Sequence, residues 1–149
     1  MALQETRPPH LLFACGARWY AVPAPLAAEV VTFPELTRVP GAPAHLLGVF
    51  NHRGEVVPVV DLGRLVDGTP EPSRRAVLVR VARGVVGLTA SEVDDVAEAT
   101  GEFTPHGEAG VRKHLLGPVQ AGGRSVLVLE PEGLYDFLGQ RDRGGQTLA

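Results

Sequence analysis

The chain has 149 residues and a mass of 15.8 kDa, which leaves room for one ordinary domain or two very small ones. Its 44% hydrophobic content excludes a chain disordered throughout, and valine and leucine together, about a quarter of the residues, supply a core although aromatics are only 5%. Fourteen basic against seventeen acidic side chains, a formal net charge of −3, argue against a dedicated nucleic-acid binder.

Short apolar runs alternate with turn residues along the chain, the pattern of a sandwich or barrel. The first expected strand is 11–15. Its apolar stretch, ending at Cys15, is too short for a signal peptide, so Cys15 reads as a small buried thiol. Further strands are expected at 19–22, 29–33, 47–53, 56–60, 76–82, 85–90, 91–98, 115–120 and 125–129. Tight hairpins are expected at Gly16 Ala17, Arg53 Gly54, Arg83 Gly84 and Gly122 Gly123. Pro58 lacks a ladder donor, which places its strand at an edge or bulge and predicts incomplete barrel closure there. Asp61 can cap a short helix through Leu62 and Leu65 that ends at Gly68. Glu130 Pro131 Glu132 opens a terminal helix that Gly139 closes, with Leu134, Phe137 and Leu138 on its packed face. Residues 140–149 form a polar tail, expected to be mobile.

The stretch Gly68 to Arg75, rich in proline and charge, marks the best internal boundary and divides the strands five and five. The expectation is a first β-barrel over 11–70 and a second over 71–139. The N-terminal strand or the terminal helix should cross to the other module, because halves of this size make marginal cores. No sharp sequence repeat is visible across the boundary.

Chemistry-bearing motifs are sparse. A single cysteine makes no internal disulfide and fits a reducing, cytoplasmic setting, and no Cys/His spacing suits zinc. His10, His45, His52, His106 and His114 lie apart in the chain and read as loop or surface residues. Asp94 and Asp95 are adjacent on an expected strand, so they point to opposite faces and serve no common site. There is no G-x-S-x-G, Walker loop or G-x-G-x-x-G, and no apolar run long enough for a membrane span. No cofactor, metal or catalytic group is expected. A small-barrel nucleic-acid module is the weaker alternative, with only Arg74, Arg75, Arg80 and Arg83 to support it.

One block is specific. Gly48 Val49 Phe50 Asn51 His52 Arg53 Gly54 Glu55 Val56 Val57 Pro58 Val59 Val60 Asp61 Leu62 resembles the central signature of the CheW-like family of chemotaxis coupling proteins, close to G-V-x-N-L-R-G-x-x-x-P-V-x-D-L. Trp19 to Pro23, Glu29 to Val31 and Leu36 to Pro40 fall in family order before it. Val86 to Leu88, Val93 to Val96, Leu115 to Gly117 and Val126 to Leu129 follow it. The resemblance covers nearly the whole chain, as one CheW-like domain over 1–149. It implies a mainly β fold of two five-stranded SH3-like β-barrels with short helices.

It also implies a non-catalytic adaptor, cytoplasmic and recruited to membrane receptor arrays, that joins a chemoreceptor's helical tip to the regulatory domain of a CheA-type histidine kinase. A scaffold of the same type in a non-motility pathway, retaining one partner, is the alternative. The receptor groove implied involves Ala27, Glu29, Gly48, Arg53 and Val77, with a Glu29–Arg53 salt bridge holding it. The chain departs from the pattern at His52, where the family has an apolar residue, at Pro25 and in its short C-terminal tail.

Overall fold

The computed structural model describes residues 3–148, with side chains through Gly139. Ten strands form: β1 (Glu5–Cys15), β2 (Arg18–Pro23), β3 (Ala27–Thr32), β4 (Leu46–His52), β5 (Glu55–Val60), β6 (Arg75–Val81), β7 (Gly84–Thr89), β8 (Glu92–Gly101), β9 (Leu115–Ala121) and β10 (Arg124–Leu129). They fall at the ten positions expected. Single helical turns at Ala24–Leu26, Gly63–Asp67 and Gly110–His114 and a terminal helix α1 (Pro131–Leu148) complete the described elements.

The strands make two five-stranded sheets, but not by halves of the sequence. β1, β2, β10, β9 and β8 close into a barrel, and β3, β6, β7, β5 and β4 form the second sheet. The expected division at residue 70 is therefore corrected: it falls between β5 and β6, within the second sheet. The chain leaves the barrel after β2, builds the whole second sheet, and returns at β8. The proline-rich stretch that suggested a boundary is a β5–β6 connection, because turn chemistry reports a change of direction and not a change of module.

The two sheets repeat one pairing scheme. In each, a hairpin (β1–β2 or β4–β5) lays its second strand parallel to the last strand of the remaining three (β10 or β7), with Leu127 beside Tyr20 and Leu88 beside Val60. The third of those strands is β8 in the barrel and β3 in the second sheet. β8 closes on β1 through a ladder running from Glu5↔Gly101 to Ala14↔Glu92. β3 and β4 have no such ladder and remain the two edges of the second sheet. The opening expected at Pro58 lies at this seam instead. β5 is an interior strand, and Pro58 is tolerated because the ladder to β7 engages only Val59 and Val60, beyond it.

Several strands bury both faces. Within the barrel lie Leu12, Ala21, Leu116, Val119, Val126 and Val128. Within the second sheet lie Phe33, Phe50, Val57, Val59, Ala76, Leu78 and Val85. Their sequence neighbours on the opposite faces, among them Phe13, Tyr20, Val22, Val60, Val77, Val79, Leu127 and Leu129, meet in a third cluster that joins the two sheets. That double burial is why β6 and β10 read as continuous apolar runs and not as alternating ones.

α1 seals this shared core. Leu134 and Leu138 are buried in it, with Phe137 packed alongside. The Glu132 carboxylate accepts the Ala82 N–H at 2.9 Å, tying the helix that follows the barrel to the β6–β7 turn of the other sheet. The helix runs on past Gly139, which corrects the expected stop. The expectation of a mobile tail over 140–149 lies outside the residues whose side chains are described.

Local chemistry explains the connections. Asp61 is buried, and its carboxylate accepts the N–H groups of Arg64 and Glu71, both at 3.2 Å, so one side chain caps the helical turn and anchors the segment leading to β6. Gly68 ends that turn in a left-handed conformation, φ 72°. The expected turn at Arg83 Gly84 sits one residue earlier, since β6 ends at Val81 and β7 begins at Gly84.

Candidate functional site

One end of the second sheet gathers charged side chains around a cleft of about 140 Å³, floored by Val57, Leu78 and Val85 and rimmed by Glu29, His52, Arg53, Glu55 and Arg80. The β4–β5 hairpin organises it. Asn51 Oδ1 accepts the Gly54 N–H at 3.1 Å, and Arg53 and Gly54 both take positive φ, 53° and 86°, the geometry of a two-residue hairpin that matches strand twist. Arg53 is thereby held at the tip with its side chain projecting.

Glu29, on edge strand β3, reaches across the open seam to this hairpin. Its Oε1 lies 3.3 Å from His52 Nε2 and 3.2 Å from Arg53 Nη1. Because a carboxylate only accepts, His52 carries its hydrogen on Nε2 in this contact. The His52 ring sits edge-on to Phe50, centroids 5.8 Å apart, which links it to the core of the sheet. Behind them Glu55 takes two hydrogen bonds from Arg80, the shorter 2.6 Å, and these hold its carboxyl below the ordinary value of 4.5. Since β5 and β6 are not neighbours in the sheet, this pair also spans the mouth.

The other expected site residues are placed differently. Val77 is completely buried in the cluster between the sheets, so it offers no surface to a partner and its assignment to a groove is corrected. Gly48 is buried too: a Cβ there would stand 2.7 Å from the Thr37 carbonyl oxygen and 2.8 Å from Leu36 Cβ. Its bareness admits the 36–37 segment, which crosses the outer edge of β4 through paired Thr37 and Val49 backbone bonds of 2.9 Å. Ala27, half-buried at the start of β3, packs against the intersheet cluster. His52, read from sequence as a departure from the family pattern and as a loop or surface residue, lies on β4 and is brought into the site. The signal was available: Phe50 and His52 share one strand face, and a hairpin at Arg53 Gly54 sets His52 opposite Glu55.

Elsewhere the polar groups are structural. Cys15 is buried, burial pushes its thiol up from the ordinary value, and Thr89 Oγ1 lies 3.4 Å away, so the thiol is unactivated. His10, on β1, is buried, which corrects its reading as a surface or loop residue; His45 lies in the turn before β4, a loop residue as expected, and is buried there. Burial holds the His10 imidazole below its ordinary value while Nδ1 contacts the Pro8 carbonyl at 2.6 Å. Asp94 accepts from Arg124, whose guanidinium lies 3.7 Å from the centroid of the Trp19 ring. Among the described residues no group of three His, Cys, Asp or Glu side chains is placed to hold a metal ion, and no helix is long and apolar enough to cross a membrane.

Fold and surface together define a β-scaffold module, two small sheets fused through one core with a hairpin-borne polar site. The chain belongs to the family of the CheW-like domain, whose model matches residues 9–138. It is 30% identical over 132 residues to a probable chemotaxis protein CheW of Rhizobium etli, covering 84% of this chain and 85% of that protein. It is 34% identical over 127 residues to protein FrzA of Myxococcus xanthus, covering 78% and 76%. The crystal structure of the scaffolding protein TtCheW from Thermoanaerobacter tengcongensis superposes with a TM-score of 0.66 at 20% identity, over 81% of this chain and 87% of that one, a likeness of fold.

Proposed function

We propose that the protein is a non-catalytic chemosensory adaptor that joins the helical tip of a chemoreceptor to the regulatory domain of a CheA-type histidine kinase at receptor arrays. The observation that carries this reading is the match of a CheW-like domain across 130 of the 149 residues, 9–138, with the shared core and all the strands but the first residues of β1 inside the matched range. Relatives named as chemotaxis proteins point the same way. The polar mouth of the second sheet, with Glu29 and Arg53 at its rim, is the proposed receptor-facing surface. Helix recognition needs a few oriented polar contacts beside apolar anchors, and Val57, Leu78 and Val85 form the apolar floor of this mouth. Kinase binding uses a separate surface, since an adaptor holds both partners at once.

Calorimetry with a receptor hairpin fragment and a kinase regulatory domain from the same genome tests this. Each should bind alone, and the receptor fragment should bind the preformed complex with the kinase domain equally well. Failure of both to bind refutes the adaptor; mutual competition refutes the separate surfaces.

A further inference from the structure

We infer that in this chain His52, and not Arg53, fixes the Glu29 carboxylate, and that Arg53 is left as a donor for a carboxylate on the bound partner. The inference rests on the hairpin being a partner-binding surface. Both side chains approach the same oxygen, Glu29 Oε1, but they differ in how firmly they are placed. The His52 side chain is 25% exposed and its ring is lodged against core residue Phe50. The Arg53 side chain is 76% exposed and comes within 3.2 Å of Glu29 at Nη1.

A guanidinium carries five N–H donors, and the nearest approach of Arg53 to Glu29 is from Nη1, at 3.2 Å. Arg80, the other cation of the mouth, is already spanned by both oxygens of Glu55. Arg53 is therefore the more exposed and less engaged cation of this rim, and its backbone is held at the hairpin tip by the Asn51–Gly54 hydrogen bond. With Glu29 and Glu55 balanced by Arg53 and Arg80, the rim carries no surplus charge while His52 is neutral, so an incoming carboxylate meets no net repulsion. Planar, paired N–H groups select a carboxylate, so the partner presents an aspartate or glutamate here. An apolar residue at position 52 would leave Arg53 as the sole partner of Glu29 Oε1; the histidine shares that oxygen.

The probe is a chemoreceptor cytoplasmic hairpin fragment from the same genome, titrated by calorimetry at several salt concentrations, with the melting temperature of each variant recorded. Arg53→Gln should weaken binding about tenfold or more and flatten the dependence of log Kd on log salt. His52→Leu should weaken binding several-fold, and His52→Gln, which keeps a donor for Glu29, should restore it to within about twofold. Exchange of one acidic residue of the fragment for arginine should rescue Arg53→Glu. The inference is overturned if Arg53→Gln binds within about twofold of the parent, if its salt dependence is unaltered, or if His52→Leu is folded and binds normally. If His52→Leu fails to fold, the Arg53 and His52→Gln results decide. An unaltered protein that binds no fragment at any salt concentration refutes the adaptor reading itself, and this inference with it.

Discussion

Glu29 and His52 stand on the two edge strands of the second sheet, joined by a 3.3 Å contact between Oε1 and Nε2. In the closed barrel the corresponding strands, β8 and β1, are joined along their length by backbone hydrogen bonds. At the hairpin end the seam of the second sheet is thus bridged by side chains, with a single main-chain bridge, Thr37 to Val49, further along β4, where its counterpart is bridged by a main-chain ladder. A side-chain bridge is replaceable and adjustable, which suits a surface that meets a partner, while a ladder is not.

The two contacts to Glu29 should differ in what they contribute to the fold. A double-mutant cycle between Glu29 and Arg53, read by urea denaturation, should give a coupling of about 0–0.5 kcal/mol, since a pair this exposed is screened by water. The cycle between Glu29 and His52 should give about 1 kcal/mol, because the imidazole is already ordered by Phe50. Equal couplings would show that the two donors are interchangeable.

Gly48→Ala should destabilise the protein by about 2–4 kcal/mol, since its Cβ would meet the Thr37 carbonyl at 2.7 Å on a backbone with φ 150°. Thermal unfolding checks this. Loss of receptor binding in Gly48→Glu should then accompany a lowered melting temperature, and a variant of parental stability that fails to bind would return Gly48 to the partner surface.

Val77→Ala should cost about 2–3 kcal/mol through the cavity it leaves between the two sheets. Receptor affinity measured well below the melting temperature should stay within about twofold of the parent, because no atom of Val77 reaches the surface.

His10 should make stability sensitive to mild acid. Burial depresses its folded pKa below the ordinary value of 6.5 that the unfolded chain retains. Between those two values the unfolded state holds the extra proton, so the contribution of neutral His10 is full above pH 6.5 and is lost as pH falls through the folded value. His10→Gln should flatten the plot of unfolding free energy against pH in that window; an unchanged slope would assign the acid sensitivity to other groups.

Residues 1–70 expressed alone should not fold cooperatively. The fragment holds β1 and β2 of the barrel and β3 to β5 of the second sheet, and so completes neither. A sharp thermal transition in this fragment would contradict the nested arrangement.

The amino-acid sequence by itself determined the local structure: ten apolar runs at strand length, hairpins at Gly16 Ala17, Arg53 Gly54 and Gly122 Gly123, the Asp61 cap and the packed face of α1. Each depends on side chains within a few residues of one another, and a chain encodes such relationships in its order. The block from Gly48 to Leu62 likewise carried the family resemblance unaided. Which strands share a sheet was decided only by the tertiary structure, because an apolar run buried on both faces fits either neighbour equally well, and the parallel pairings of β2 with β10 and β5 with β7 leave no trace in the intervening turns. The same holds at the site. Gly48 and Val77 are small and apolar, and nothing local separates a groove residue from one covered by the 36–37 segment or by the opposite sheet. The meeting of Glu29 with His52 follows from strand edges left open 23 residues apart in the chain, a distance that periodicity does not span.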